Sequence, residues 1–410
     1  WSWKDMNAGM VHGISLGMSS ILILLSIGIL IGLWVASGIV PLLIHYGMLL
    51  LNPSYFLPAT CLICAVVSVT TGSSWTTAGT VGVALIGVAQ GLNVPLEITA
   101  GAIVSGAYFG DKMSPLSDTT NLAPAVAGSE LFEHIRHMAW TTGPSFLLAL
   151  VLFTFFSLQA EGTGGQGENF IVLQESLQSE YQLSPWLLLA PLLVVVLIIR
   201  KVPALPALLL GAAAGGALGL LFQGQSMADV FDAAMYGHVS KTEIELVDNL
   251  LSQGGMNSMF WTVGLILCAL AFGGLMEKIG MLQVLAEGIL RLARTTGSLI
   301  ASTALTCLGM NIAAPDQYLS IVVPGRMFRT AYREQKLYPK NLSRILEDAG
   351  TLTSPLIFWN TCGATMGDVL GISALLYWRW CFFNLINPAV SLIYGFTGFT
   401  MKKDSRERPD

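Results

Sequence analysis

Long apolar runs, broken at a few places by small polar residues, dominate the chain. Uninterrupted runs lie at about 14–34, 138–158, 185–200, 203–222, 257–276 and 377–399, with a shorter one at 37–51. An α-helix of about 20 apolar residues crosses the bilayer's hydrocarbon core, so these runs predict transmembrane helices. Four further stretches are as apolar but interrupted. Thr71-Gly72-Ser73-Ser74 breaks 57–90, Gly110 to Asn121 breaks 95–129, Pro315-Asp316-Gln317 breaks 297–325, and Ser354-Pro355 with Asn360-Thr361 breaks 341–376.

The breaks fall in two pairs. In each pair the second break carries Ser-Pro-Leu, at 114–116 and 354–356, followed by Thr119-Thr120-Asn121 in one case and Asn360-Thr361 in the other. Interrupted helices at matching places in two halves are the mark of a transporter built from two repeats, with its site at the membrane midplane.

Charge orients the pattern. The loop 326–344 holds Arg326, Arg329, Arg333, Lys336, Lys340 and Arg344, and the tail holds Lys402, Lys403, Arg406 and Arg408. Both are placed in the cytoplasm by the excess of Lys and Arg in cytoplasmic loops. The linker 159–184 has no Lys or Arg and carries Glu161, Glu168, Glu175 and Glu180, so it lies outside. Alternation then puts Arg200-Lys201 and the segment with Lys278, Arg291 and Arg294 inside, and the partly helical 223–253 outside. The count closes if 297–325 is a re-entrant hairpin from the cytoplasm and 341–376 a broken helix crossing outward. Likewise 57–90 is a hairpin from the outside and 95–129 a broken helix crossing inward.

The expected fold is therefore all-α and integral to the membrane, with two inverted repeats, each holding a re-entrant hairpin and a broken transmembrane helix. The first repeat covers 1–158, an extracytoplasmic linker 159–184, the second repeat 185–399, and a basic cytoplasmic tail 400–410. Three helices precede the hairpin in the second half and two in the first, which predicts a further helix ahead of the first residue.

Composition narrows the class. The chain is 53% hydrophobic and 11% charged, with mean hydropathy +0.66, against about 25% charged residues in a soluble domain. A net charge of −5 with no basic cluster excludes a nucleic-acid binder. The six cysteines all lie in apolar segments, so the Cys61/Cys64 pair is expected to be small core residues rather than a redox motif. The five histidines are scattered, and only His45 falls in a span. No metalloprotease motif is present, and no enzyme activity and no cofactor are expected.

The chemistry concentrates at 110–121. Asp111, Lys112 and Asp118 place three ionisable groups within eight residues of an apolar stretch, each costing about 2.5–3.5 kcal/mol at a membrane helix centre. Pro115 lacks an N–H, so the carbonyl of Asp111 loses its helical partner, and Pro124 does the same to Thr120. Freed carbonyls with the hydroxyls and carboxylates of Asp111, Ser114, Asp118, Thr119, Thr120 and Asn121 supply hard oxygen ligands suited to Na+. Two close carboxylates do not both stay ionised cheaply, so a proton and Na+ would compete for one of them. Lys112 is a candidate counter-ion or anion contact. Asp316 is a candidate ligand or N-cap, with Pro315 freeing the carbonyl of Asn311. Ser354, Asn360 and Thr361 stand where the second repeat places its share, and Ser73 and Ser74 form the first hairpin's tip. Glu97, Glu347, Asp348 and Asp368 lie nearer segment ends and are expected to be interfacial charges.

The sixteen residues from Phe109 to Pro124, FGDKMSPLSDTTNLAP, closely resemble the signature of the NhaC-type Na+/H+ antiporter family, part of the ion transporter superfamily. The segments Gly237–Gly255 and Asn311–Gly325 are similar to the same family. The resemblance implies inverted repeats with unwound helices, a dimer-forming scaffold, and an elevator-like movement of the transport part. It places the site on Asp111, Ser114, Asp118, Thr119 and Asn121 in one repeat and Asp316, Ser354, Asn360 and Thr361 in the other. With the Ser-Pro-Leu motifs superposed, Phe358 stands opposite Asp118, so a symmetric second cation site is not implied. The expected activity is exchange of Na+ for H+ across the cell membrane, those two ions being the only transported species required. The alternative is Na+-coupled exchange of small carboxylates such as malate and lactate, for which Lys112 and the half-helix N-termini would form the anion pocket. A homodimer in contact with membrane lipids is the expected assembly.

Overall fold

The computed structural model describes residues 1–160 and 168–403; Glu161, Arg406 and Arg408 lie outside them. The protein is all-α among the described residues, with one isolated bridge between Leu337 and Lys403. The first half comprises α1 (Trp3–Leu16), α2 (Met18–Ala36), α3 (Ile39–Leu50), α4 (Pro53–Thr71), α5 (Ser74–Thr77), α6 (Val83–Gly91), α7 (Leu96–Met113), α8 (Asp118–Ala127) and α9 (Leu131–Ala160). A π-helical stretch, Ala78–Gly82, joins α5 to α6. The second half comprises α10 (Glu168–Glu180), α11 (Leu189–Ile199), α12 (Ala204–Phe222), α13 (Met227–Tyr236), α14 (Glu245–Leu251), α15 (Phe260–Lys278), α16 (Met281–Leu290), α17 (Thr296–Ala313), α18 (Gln317–Glu334), α19 (Pro339–Ile345), α20 (Thr361–Leu370), α21 (Ala374–Tyr377) and α22 (Phe382–Thr397). Among the described residues six helices are long and apolar enough to cross a membrane, and 170–199 adds a pair bent by 95°.

Each half supplies a helical hairpin followed by a broken helix. The first hairpin is α4 and α5–α6. Asn52 and Pro53 start α4 with a side-chain cap and a preset φ. Gly72 ends it in the left-handed region at φ 68°, where a Cβ would meet the backbone of Leu116. The second hairpin is α17 and α18, turning at Pro315-Asp316. Its partner is α19, continued by the π-helical stretch Leu346–Thr351 and a 3-10 turn, Ser354–Leu356, and resumed as α20.

Several elements depart from the sequence reading. Residues 3–16 form a separate helix, capped by Ser2 and Asp5 and packed on α15, ahead of the predicted first span. The linker 159–184 contains α10, whose Leu173 and Leu177 are fully buried. The basic loop begins later than expected because α18 continues to Glu334.

Close backbone approach fixes the first broken helix against its hairpin. On α7, Gly106 and Gly110 are four residues apart, and a Cβ on Gly106 would strike the carbonyl of Cys61 on α4. Small residues at this spacing let helix backbones touch, and here Ser68 Oγ donates to Ala107 O at 2.5 Å. Gly106→Ala is expected to overpack this contact and cost about 1–3 kcal/mol. Gly143→Ala on α9, where nothing lies within 4 Å of the added methyl group, is its control. Thermal melting in detergent should fall for the first variant only.

Candidate ion-binding site

The break in the first half brings the predicted signature together around Asp111, which is 7% exposed. Its carboxylate accepts from Ser74 Oγ at 2.7 Å and from Ser74 N at 3.3 Å. The hairpin tip thus reaches Asp111 through Ser74. Ser73 instead caps α5, accepting from Thr76 N at 3.2 Å. Ser117 adjoins Asp111 and caps α8, and Asp118 opens α8 exposed.

The freed carbonyls have partners. Thr120 Oγ1 donates to Asp111 O at 3.1 Å and to Lys112 O at 2.9 Å. Asn121 Nδ2 donates to Pro115 O at 2.9 Å and Ser117 O at 2.7 Å. Ser114 Oγ accepts from Leu116 N at 3.3 Å. These three side chains therefore brace the break, satisfying backbone that Pro115 leaves unpaired. Thr120→Val removes the brace and is expected to cost about 1–3 kcal/mol through unsatisfied buried carbonyls, read as a lower melting temperature with transport otherwise retained.

The second half uses the same device. Pro315 frees the carbonyl of Asn311, and Asn360 Nδ2 donates to that carbonyl at 3.1 Å while Asn360 Oδ1 caps α20 from Cys362 N at 3.0 Å. Asp316 caps α18, accepting from Leu319 N at 3.0 Å, and is 3% exposed. Thr361 N donates to Pro315 O at 3.0 Å, tying α20 to the hairpin tip. Ser354 Oγ donates back to Thr351 O at 2.7 Å. Both half-helices begin directly after their caps, so by structure Thr361, rather than Phe358, corresponds to Asp118; the second break is three residues longer. The two halves converge: Tyr318 on α18 lies within electrostatic reach of Asp111, Asp118, Asp316 and Cys362. Sequence reasoning missed Tyr318, because a lone tyrosine in an apolar helix carries no pattern.

Lys112 has a counter-ion partner in the second half, and that partner's expected place is corrected. Lys112 is fully buried, ion-paired to Asp348, and donates to Asn387 Oδ1 at 2.8 Å. Glu347 and Asp348 are likewise fully buried rather than interfacial. The helix bearing them starts at Pro339, which carries both into the protein within the π-helical stretch. The signal was available: two acids lie inside an apolar run that also holds Arg344. His134 and His137 are also buried, on α9. All six cysteines are free.

Comparison with known proteins places the chain in a family. The profile of the Na+/H+ antiporter family matches residues 106–399. The chain is 41% identical over 404 residues to the Na+/H+ antiporter NhaC of Alkalihalophilus pseudofirmus, covering 98% of this chain and 87% of that one. It is 42% identical to the Na+/H+ antiporter NhaC of Bacillus subtilis, covering 96% and 87%. It is 37% identical to the malate-2H+/Na+-lactate antiporter of Bacillus subtilis, covering 97% and 85%. With hairpins, broken helices and signature all in place, the chain belongs to the Na+/H+ antiporter family and is a multi-pass protein of the cell membrane.

Proposed function

We propose that the protein exchanges Na+ for H+, with Asp111 as the carboxylate that holds either cation. The observation carrying this reading is the setting of Asp111: buried, at the end of a half-helix, and contacted by a hairpin tip from one side and by Ser117 from the other. A buried carboxylate with only hydroxyl and amide partners requires a cation or a proton to offset its charge. Movement of the Ser74 tip away from Asp111 would open the site. Asp316 and Tyr318 supply the second half's contribution. The division into two inverted repeats, 1–158 and 185–399, belongs to this proposal, as do the homodimeric scaffold and the elevator-like movement.

Exchange of organic anions is the weaker reading. Lys112, the cation on which it depended, is committed to Asp348 and Asn387. Proteoliposomes with a preset pH gradient test the choice. Na+ alone should collapse the gradient; a requirement for added malate or lactate would overturn the proposal.

Asp118 has a different role from Asp111. Being exposed at the start of α8, it attracts cations to the site without desolvating them. Asp118→Asn is expected to raise the half-saturating Na+ concentration several-fold, on the order of the 0.5–1 kcal/mol of a solvated charge contact, with the maximal rate kept. Abolished transport would place Asp118 at the cation itself.

A further inference from the structure

Among the described residues, Glu347 is the one fully buried carboxylate that the reading above does not use. Neither of its oxygens has a hydrogen-bond partner among the described residues, and the hydroxyl of Thr351, four residues on, is equally without one. The hydroxyls of Thr351 and of Thr119, at the start of α8, adjoin the carboxylate. Three unpartnered buried oxygens thus converge in a π-helical stretch. Such stretches are frequent at functional sites, where the wider turn re-aims side chains. Buried polar groups in native proteins are otherwise almost always satisfied.

The charges facing Glu347 leave it without a counter-ion. From α7 it faces Lys112 and Asp111. Lys112 is held by Asp348 and Asn387. Arg344, one turn earlier, donates instead to Thr400 Oγ1 at 2.8 Å and to Met401 Sδ at 3.6 Å. His134 on α9 stands beside Lys112 and His137. With the Lys112–Asp348 pair neutral, Asp111, Asp316 and Glu347 remain as buried carboxylates without an ion-pair partner among the described residues. Buried charges are paired or bind metal ions, and carboxylate with hydroxyl oxygen is the ligand set of a hard cation.

We propose that Glu347 is a second Na+-binding carboxylate, completed by the hydroxyls of Thr351 and Thr119. The proposal rests on the reading of the protein as a Na+ exchanger, and assigns it two Na+ positions, one on the break of each half's second helix system: Asp111 on α7, Glu347 on the π-helical continuation of α19.

Isothermal titration of the purified full chain in detergent with NaCl, at alkaline pH, tests it. The wild-type protein is expected to bind two Na+ per chain, Glu347→Gln one, and the Asp111→Asn/Glu347→Gln double variant none. Thr351→Val keeps the carboxylate, so it should fold as the wild type does and weaken one of the two binding events about tenfold. An unchanged Na+ stoichiometry in a Glu347→Gln protein that melts normally overturns the proposal. The two assignments fail separately. Loss of one Na+ in Glu347→Gln but none in Asp111→Asn removes Asp111 from its proposed role and leaves Glu347 in place; the opposite result does the reverse.

Discussion

Asp111→Asn is expected to abolish Na+-dependent proton movement while leaving the protein folded. The amide has nearly the volume of the carboxylate, and its oxygen still accepts from Ser74 Oγ, so the contact between hairpin tip and α7 survives. What disappears is the negative charge that a bound Na+ needs, and with it the group that takes the proton in the other half of the cycle. A buried group loses several kcal/mol of attraction for a cation when it loses its charge, and every 1.4 kcal/mol is tenfold in binding. The expected fall in exchange is therefore at least about 100-fold. Stability should hold or rise, because a buried charge has been removed. Fluorescence of a trapped pH dye reads the first expectation and melting in detergent the second. Asp111→Glu separates charge from placement: it keeps the carboxylate but moves it by one methylene, and should retain exchange at a higher Na+ requirement. Wild-type exchange in Asp111→Asn would move the coupling site elsewhere in the protein.

Much of this site was legible in the sequence because membrane burial makes polar residues conspicuous. Asp111, Asp118 and Asp316 stand out in apolar runs, and Pro115 and Pro315 mark where helices must open. The sequence also told which carbonyls the prolines would free. It did not tell what would take them. Thr120 and Asn360 looked like cation ligands, and each turns out to bond the carbonyl its own half has lost. A hydroxyl or amide near a break serves either purpose, and only distances decide between them. Fold-level features followed a similar rule. Long apolar spans were placed well, whereas α1 and α10, with mixed faces and no run of spanning length, depend on packing against other helices. The misplacement of Glu347 and Asp348 has a topological cause. Distance from the end of an apolar run stood in for depth, and that substitution fails when the helix begins ahead of the run, at Pro339, and passes through a π-helical stretch.

Lys112→Met should be among the most destabilising single substitutions in the chain. Lys112 and Asp348 are both fully buried, one at the end of α7 and the other in the second half, so their pair joins the two halves near the site. Methionine fills the space of the lysine stem and leaves Asp348 charged, with Asn387 unable to replace the lost cation. Removing one partner of a buried pair costs about 3–5 kcal/mol, because the remaining charge is stranded, whereas removing both is often nearly neutral. The double variant Lys112→Met/Asp348→Leu is therefore expected to melt close to the wild type while each single variant melts well below it. The same double variant separates structure from transport. If the pair only fastens the halves together, Na+ alone still collapses a pH gradient in its proteoliposomes. If exchange is lost in a protein that melts normally, the lysine charge belongs to the cation cycle. The natural mechanism for that is electrostatic: Lys112 faces Glu347 as well as Asp348, so its field sets how strongly the unpaired Glu347 holds a cation.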